Sequence, residues 1–229
     1  MRTLRTLLFG IALCALLLVA GCVLLPSALH RLNLSVTYRI PDVGKTLYIT
    51  LDDGPSEATP LILDVLRKHN VPATFFVITD HIRPEMLNRI TTEGHQIGHH
   101  MKTTANIQKM PDEQFRLEFL AADTALAQYR HVKLFRPPGG SISDQQAAFV
   151  TNQGYRIVVG TIFPLDHWLK STTTISALAK ILVIDGGIII LHDTQERGPR
   201  TAVVLNDVIP YLKKRGYKFD LLPDKSATP

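Results

Sequence analysis

From Lys45 onward the chain alternates short apolar runs with longer amphipathic stretches. No other feature restricts the fold as much, because strands that alternate with helices pair in parallel, with the helices as crossovers. Strands are expected at 46–51, 73–78, 95–98, 133–135, 155–161, 187–191 and 217–221. Between them lie helices, opened by Thr59-Pro60, by Pro84 (ending near Gly94) and by Pro111-Asp112-Glu113, with Asp144, Ser176 and Thr201 near the starts of three more. The expected fold is α/β, a distorted or incomplete (β/α) barrel of about seven parallel strands. A complete eight-fold barrel usually needs about 250 residues. A flat doubly wound sheet is the alternative.

Upstream, residues 7–25 carry no charged side chain; Arg2 and Arg5 precede them and Pro26 ends the run. The stretch is long enough to span a bilayer and is also laid out as an export signal. Leu18-Val19-Ala20-Gly21-Cys22 resembles the lipobox of bacterial lipoproteins, in which Cys22 is lipidated. The favoured reading is a lipoprotein, the rival an uncleaved anchor, and both put the domain outside the cytoplasm at a membrane. Boundaries are expected at 1–25 for the leader, 26–42 for a linker, 43–224 for the folded domain and 225–229 for a tail. The two cysteines, Cys14 and Cys22, both lie in the leader, so the folded part has no disulfide or thiolate metal site to draw on. Setting Arg2 and Arg5 aside leaves 23 bases against 20 acids, too mild and dispersed for nucleic-acid binding.

Polar residues collect just after the expected strands: Asp52 and Asp53, then His99 and His100, Arg136, Asp166, and finally His192 with Asp193. In parallel α/β folds these loops converge on one face, where ligands bind. The pattern points to catalysis. Each string also has a plainer reading, as turn, packed histidine or loop. Asp52-Asp53-Gly54-Pro55 is ordinary turn chemistry taken alone. Yet neighbouring carboxylates on extended backbone point apart, so one can face a metal and the other a water. His99 and His100 likewise face opposite ways, and only one of them is expected in the mouth. His95 reads as a packed histidine. Arg136 can hold a carboxylate, and Gly139 and Gly140 offer N–H groups to an oxyanion. His192 has the chemistry of a general acid.

Together, and in order, these strings resemble the polysaccharide deacetylases with the NodB homology domain, carbohydrate esterase family four. The resemblance runs from about Tyr48 to Leu222 and rests on Thr50-Leu51-Asp52-Asp53-Gly54-Pro55, Pro72–Ile78, Gly94–His100, Phe135–Pro138 and Gly186–Asp193. It implies a metal-dependent hydrolase that removes acetyl groups from carbohydrate. Asp52 would be the general base, Asp53 and His100 metal ligands, Arg136 the residue that orients Asp52, and His192 the general acid tuned by Asp166. Leu191 would line the acetyl pocket, with Pro138, Gly139 and Trp168 along the substrate cleft. The implied cofactor is a divalent metal, zinc first, with cobalt, nickel or manganese as alternatives.

Two departures stand out. Where the family has a second histidine four residues after the first, this chain has Thr104, a much poorer ligand for zinc. Its place falls to His99, a carboxylate or water, or metal binding is weak, or activity is lost. The usual aromatic after the prolines is Gly139. The resulting expectation is an extracytoplasmic deacetylase acting on acetylated envelope or environmental carbohydrate. The alternative is a carbohydrate-binding protein that kept the fold and lost the metal.

Overall fold

The structure is a computed structural model and describes residues 36–224 of the 229. The leader, Cys22 and the 225–229 tail lie outside the described residues. In chain order the elements are β1 (Val36–Thr37), β2 (Thr46–Asp52), α1 (Thr59–His69), β3 (Thr74–Val77), α2 (Pro84–Thr92), β4 (Gln96–His99), α3 (Asp112–Leu126) and β5 (Leu134–Phe135). They continue with α4 (Asp144–Asn152), β6 (Arg156–Val158), α5 (Thr172–Ile181), β7 (Ile188–His192), α6 (Gly198–Lys214) and β8 (Lys218–Phe219). Every strand pair is parallel, in the order β1-β6-β5-β4-β3-β2-β7, with β8 beside the start of β2. The sheet curls into a distorted (β/α) barrel, as expected from the alternation.

Period two along each strand divides the side chains between two environments. On β2, Leu47, Ile49 and Leu51 face outward with Ile189 and Leu191 of β7, under helix residues such as Ile62, Leu66 and Leu205. Tyr48 faces inward, where it meets Phe76, Leu134, Val158, Ile188 and Leu222. A sheet buried on both faces explains why the strand sequences read as nearly continuous apolar runs. Gly98 sits opposite Phe76 in the β3–β4 register, and a Cβ there would lie 2.8 Å from two atoms of the Phe76 ring. Bare backbone at 98 is what lets that ring fill the barrel.

Three elements differ from expectation. β1 falls within the expected 26–42 linker, whose last residues therefore join the sheet; with two residues paired to β6, it is too short to announce itself by periodicity. α5 starts at Thr172, capped by the Ser171 hydroxyl, so the buried Ser176 is mid-helix and not near a start. α6 starts three residues ahead of Thr201, whose hydroxyl instead donates to the His192 carbonyl. In both cases a polar residue that resembled a start signal is used for a tertiary contact.

Phe76 is fully buried beneath the polar end of the barrel. Phe76→Ala is expected to lower the unfolding free energy by about 3–5 kcal/mol in urea titrations, the usual range for emptying a large aromatic site.

Candidate active site

β2 ends in Asp52, which stands in register with Phe76 on one side and His192 on the other. Thr50 and Asp52 share the inward face, and both meet Arg136, which follows β5. Arg136 Nη1 donates to Asp52 Oδ1 at 2.7 Å and to Thr50 Oγ1 at 2.6 Å, while its Nε donates to the Val158 carbonyl at 3.2 Å. The guanidinium lies over the Phe76 ring, 4.2 Å from its centroid, and the pair is almost wholly buried. Ring, hydroxyl and carboxylate thus hold the cation on three sides. In return Asp52 keeps one oriented oxygen in the pair and one outside it. Thr50 was not anticipated, although its place two residues before Asp52 puts it on the same face.

After Asp52 the backbone enters the left-handed region at Asp53 (φ 71°), and the Asp53 side chain turns away from the Arg136 pair. His81 Nδ1 donates to the Asp53 carbonyl at 2.8 Å, and the Ile78 N–H donates to the Gly54 carbonyl at 3.0 Å, pinning the turn. His100 Nδ1 donates to the Arg136 carbonyl at 2.7 Å, which leaves Nε2, 3.5 Å from Asp53 Oδ1, either to hold a proton against that carboxylate or to offer a lone pair to a cation in the proton's place. Burial pushes the Asp53 carboxyl up, but the hydrogen bond and charge of His100, with His192 and Arg197, outweigh it and bring it to about 2.

The donor set fits a divalent ion as far as it goes. Two ligand atoms on a tetrahedral ion stand about 3.4 Å apart when each bond is about 2.0–2.1 Å. A carbonyl on Nδ1 also fixes the tautomer that a metal needs. Among the described residues no third His, Cys, Asp or Glu joins these two as a metal-binding group. Thr104 is exposed on the following loop. His99 is no replacement. It lies fully buried, stacked on Phe119 with Nε2 3.1 Å from the Phe119 carbonyl, and burial brings its pKa down to about 3. Strand alternation sends His99 into the α3 side of the core and His100 into the mouth, as expected. His95 is also packed, accepting from the Ala73 N–H at 3.1 Å.

His192 closes β7 on the other side of Asp52. Asp166 accepts from its Nδ1 at 2.9 Å and from its backbone N–H at 2.9 Å, fixing the ring through two points. Burial works against the charged imidazole, but the Asp166 hydrogen bond and charge, aided by Asp52 and Asp53, raise its pKa above the ordinary value. The His167 ring lies 5.6 Å from that of His192. Trp168 is 69% exposed and meets both Phe163 and His167 edge-on, at 5.6 and 5.7 Å. It stands on the rim, not in the core. A cleft of about 410 Å³ opens beside Asp53, lined by Ser56, Glu57, His81, Arg83 and Thr194 among others.

Several expectations are corrected. Leu191 cannot line a pocket beside His192, because it faces outward into the helix-covered core and is 1% exposed. Ile190, half-buried and two residues before His192, is on the right face. Gly140 has its N–H spent on the Pro137 carbonyl at 2.9 Å and offers none to an oxyanion. Pro138 is buried, while Gly139 is exposed with φ 75° and open space where a Cβ would be. Asp193 does not reach the mouth; its carboxylate turns back beneath the Asp53 turn.

The sequence and the distorted barrel are shared with known proteins. The polysaccharide deacetylase profile matches residues 39–158, and the chain belongs to that family. It is a hydrolase of the carbohydrate esterase family four type, which acts on carbon–nitrogen or ester bonds of acetylated carbohydrate. A peptidoglycan-N-acetylglucosamine deacetylase of Bacillus cereus is 34% identical over 187 residues, covering 79% of this chain and 68% of that one. The crystal structure of the Bc1960 peptidoglycan N-acetylglucosamine deacetylase superposes with a TM-score of 0.79 at 31% identity, covering 82% of this chain and 91% of the other. A family 4 acetyl xylan esterase from Clostridium thermocellum, solved with a cobalt ion, gives 0.69 at 31% identity over 77% of this chain and 88% of that one.

The His192 environment yields a pH prediction. In the general-acid role that the family resemblance implies for it, His192 has to be protonated, so activity falls as pH rises through its pKa. Asp166→Asn removes the charge that raises this pKa, and the alkaline limb of kcat/KM is expected to move to lower pH by about one unit or more. A pH–rate profile checks it.

Proposed function

We propose that this chain is a divalent-cation-dependent deacetylase that removes acetyl groups from amino sugars of envelope carbohydrate, peptidoglycan N-acetylglucosamine first among them. The observation that carries the proposal is the pairing of Asp52 and His192 in register on neighbouring strand ends, one held by Arg136 and the other by Asp166. The two groups are thereby prepared for opposite proton tasks.

Asp53 Oδ1 and His100 Nε2 would hold a divalent ion (zinc, cobalt, nickel or manganese), which when bound polarises the acetyl carbonyl and lowers the pKa of a water. With Oδ1 tied to Arg136, Asp52 presents Oδ2 to take the proton of the water that attacks the carbonyl carbon. His192, with Nδ1 committed to Asp166, presents a protonated Nε2 to the sugar nitrogen. It delivers that proton as the carbon–nitrogen bond breaks, and acetate and a free amine leave. Ile190, on the face of β7 that carries His192, together with Gly139 and Trp168, both exposed, would contact the sugar. The exposed indole of Trp168 offers a flat apolar face of the kind on which sugar rings stack.

A second reading, a non-catalytic carbohydrate-binding protein, is favoured by one observation, Thr104 where a ligand would stand. Acetate release from a panel of acetylated glycans, measured with and without chelator, separates the two. The wild type is expected to release acetate, to lose activity with chelator and to recover it with added cation. Asp52→Asn is expected to lower turnover by about 10²–10⁴-fold, the usual contribution of a positioned base, with the far-UV spectrum unchanged. Near-normal turnover in that variant would remove Asp52 from the role, and a wild type that binds the glycans but releases nothing supports the second reading.

The leader supports an extracytoplasmic, membrane-held location, with Cys22 the lipidated residue. Cys22→Ser is then expected to lose labelled fatty acid incorporated by the wild type; equal labelling of both excludes lipidation at Cys22.

A further inference from the structure

Asp193 is a buried carboxylate that the proton transfers above do not use. Its side chain is fully buried, and its contacts converge on the turn that carries Asp53. The Ser56 hydroxyl donates to Oδ1 at 2.8 Å and the Thr59 hydroxyl to Oδ2 at 2.7 Å. Both hydroxyls also accept from the turn itself, Thr59 from the Ser56 N–H at 2.7 Å and Ser56 from the Ala58 N–H at 3.0 Å. The Asp193 N–H donates to the Asp52 carbonyl at 2.7 Å. Gly54 lies so close that a Cβ on it would overlap Oδ2, and a Cβ on Gly198, at the start of α6, would come within 3.3 Å of Oδ1.

One residue therefore touches the end of β2, the turn after it and the first residue of α1, and it directly follows His192. We infer that Asp193 is a positioning residue that clamps the Asp53 turn and fixes it relative to Asp52 and His192. The physical reason is the count of acceptors. A carboxylate can receive both hydroxyls at once without donating, whereas a neutral amide in its place offers one oxygen and must find an acceptor for its own N–H₂. The buried Thr59 hydroxyl and the half-buried Ser56 hydroxyl, left without that acceptor, would turn elsewhere, and the turn would lose its single arrangement. The proposal rests on the function above, since it assigns Asp53 a cation and Asp52 a proton.

The test uses the full chain in detergent and three variants: Asp193→Ala, Asp193→Asn and the double variant Ser56→Ala/Thr59→Val, which leaves the carboxylate in place. Three quantities are read: zinc or cobalt affinity by titration calorimetry, kcat and KM on an acetylated chitooligosaccharide, and amide hydrogen exchange across 53–58. Losing a residue that orients a ligand commonly costs about 10–100-fold. Asp193→Ala and the double variant are expected to weaken cation affinity and kcat by about that factor while KM stays within about twofold. Exchange is expected to quicken at 53–58 and not in α3 or α4, and Asp193→Asn should recover part of each loss. Where Asp193→Ala fails to fold, the double variant carries the same expectation. Wild-type kcat and cation affinity in a folded variant, or exchange that rises evenly over the whole chain, would overturn the positioning role. A wild type that neither takes up the cation nor releases acetate would instead overturn the functional reading, and the role of Asp193 with it.

Discussion

A buried guanidinium organises the polar end of this barrel. Arg136 is 2% exposed, and among the described residues its charge is met by the Asp52 carboxylate, the Thr50 hydroxyl, the Val158 carbonyl and the Phe76 face. Removing one member of such a pair typically costs about 3–5 kcal/mol, because the other is left charged and dry. Asp52 is consequently held to one orientation. The support reaches further down, since Phe76 fits under the guanidinium only because Gly98 has no side chain to occupy the same space. A glycine in one strand, a ring in the next and a cation beyond them determine where the carboxylate points.

Across from that pair, Asp166 does for His192 what Arg136 does for Asp52. An imidazole beside a carboxylate favours keeping its proton, and the His192 pKa is raised accordingly. Asp53 stands outside both couples, with its own imidazole partner in His100. The left-handed backbone at Asp53 separates it from Asp52, and neighbouring carboxylates thereby come to serve different purposes.

Much of this could be read along the chain, because strand alternation carries over directly into three dimensions. It divides His99 from His100 and explains why only the second is at the mouth. Applied consistently, the same rule separates Leu191 from His192 and selects Ile190, and it finds Thr50 from Asp52. Asp193 is the instructive failure. Its type and its place beside His192 suggested the mouth, yet it belongs to the opposite face, and its partners Ser56 and Thr59 lie far away in sequence. Ser176 and Thr201 failed as helix starts for a related reason. A polar residue near a helix has the same local signature whether it caps the end or bonds to another element, and only packing distinguishes them.

The sequence by itself determined the parallel α/β alternation, the family, and the order in which Asp52, Asp53, His100, Arg136, Asp166 and His192 reach one end of the sheet. Those are consequences of local periodicity and of strand ends that must share a face. Tertiary structure alone decided which oxygen of Asp52 is committed to Arg136, which nitrogen of His100 is committed to the Arg136 carbonyl, and that Asp193 bonds to the turn from beneath. Each depends on a distance between atoms far apart along the chain. Such distances are set when the barrel closes and buried polar groups must all find partners at once.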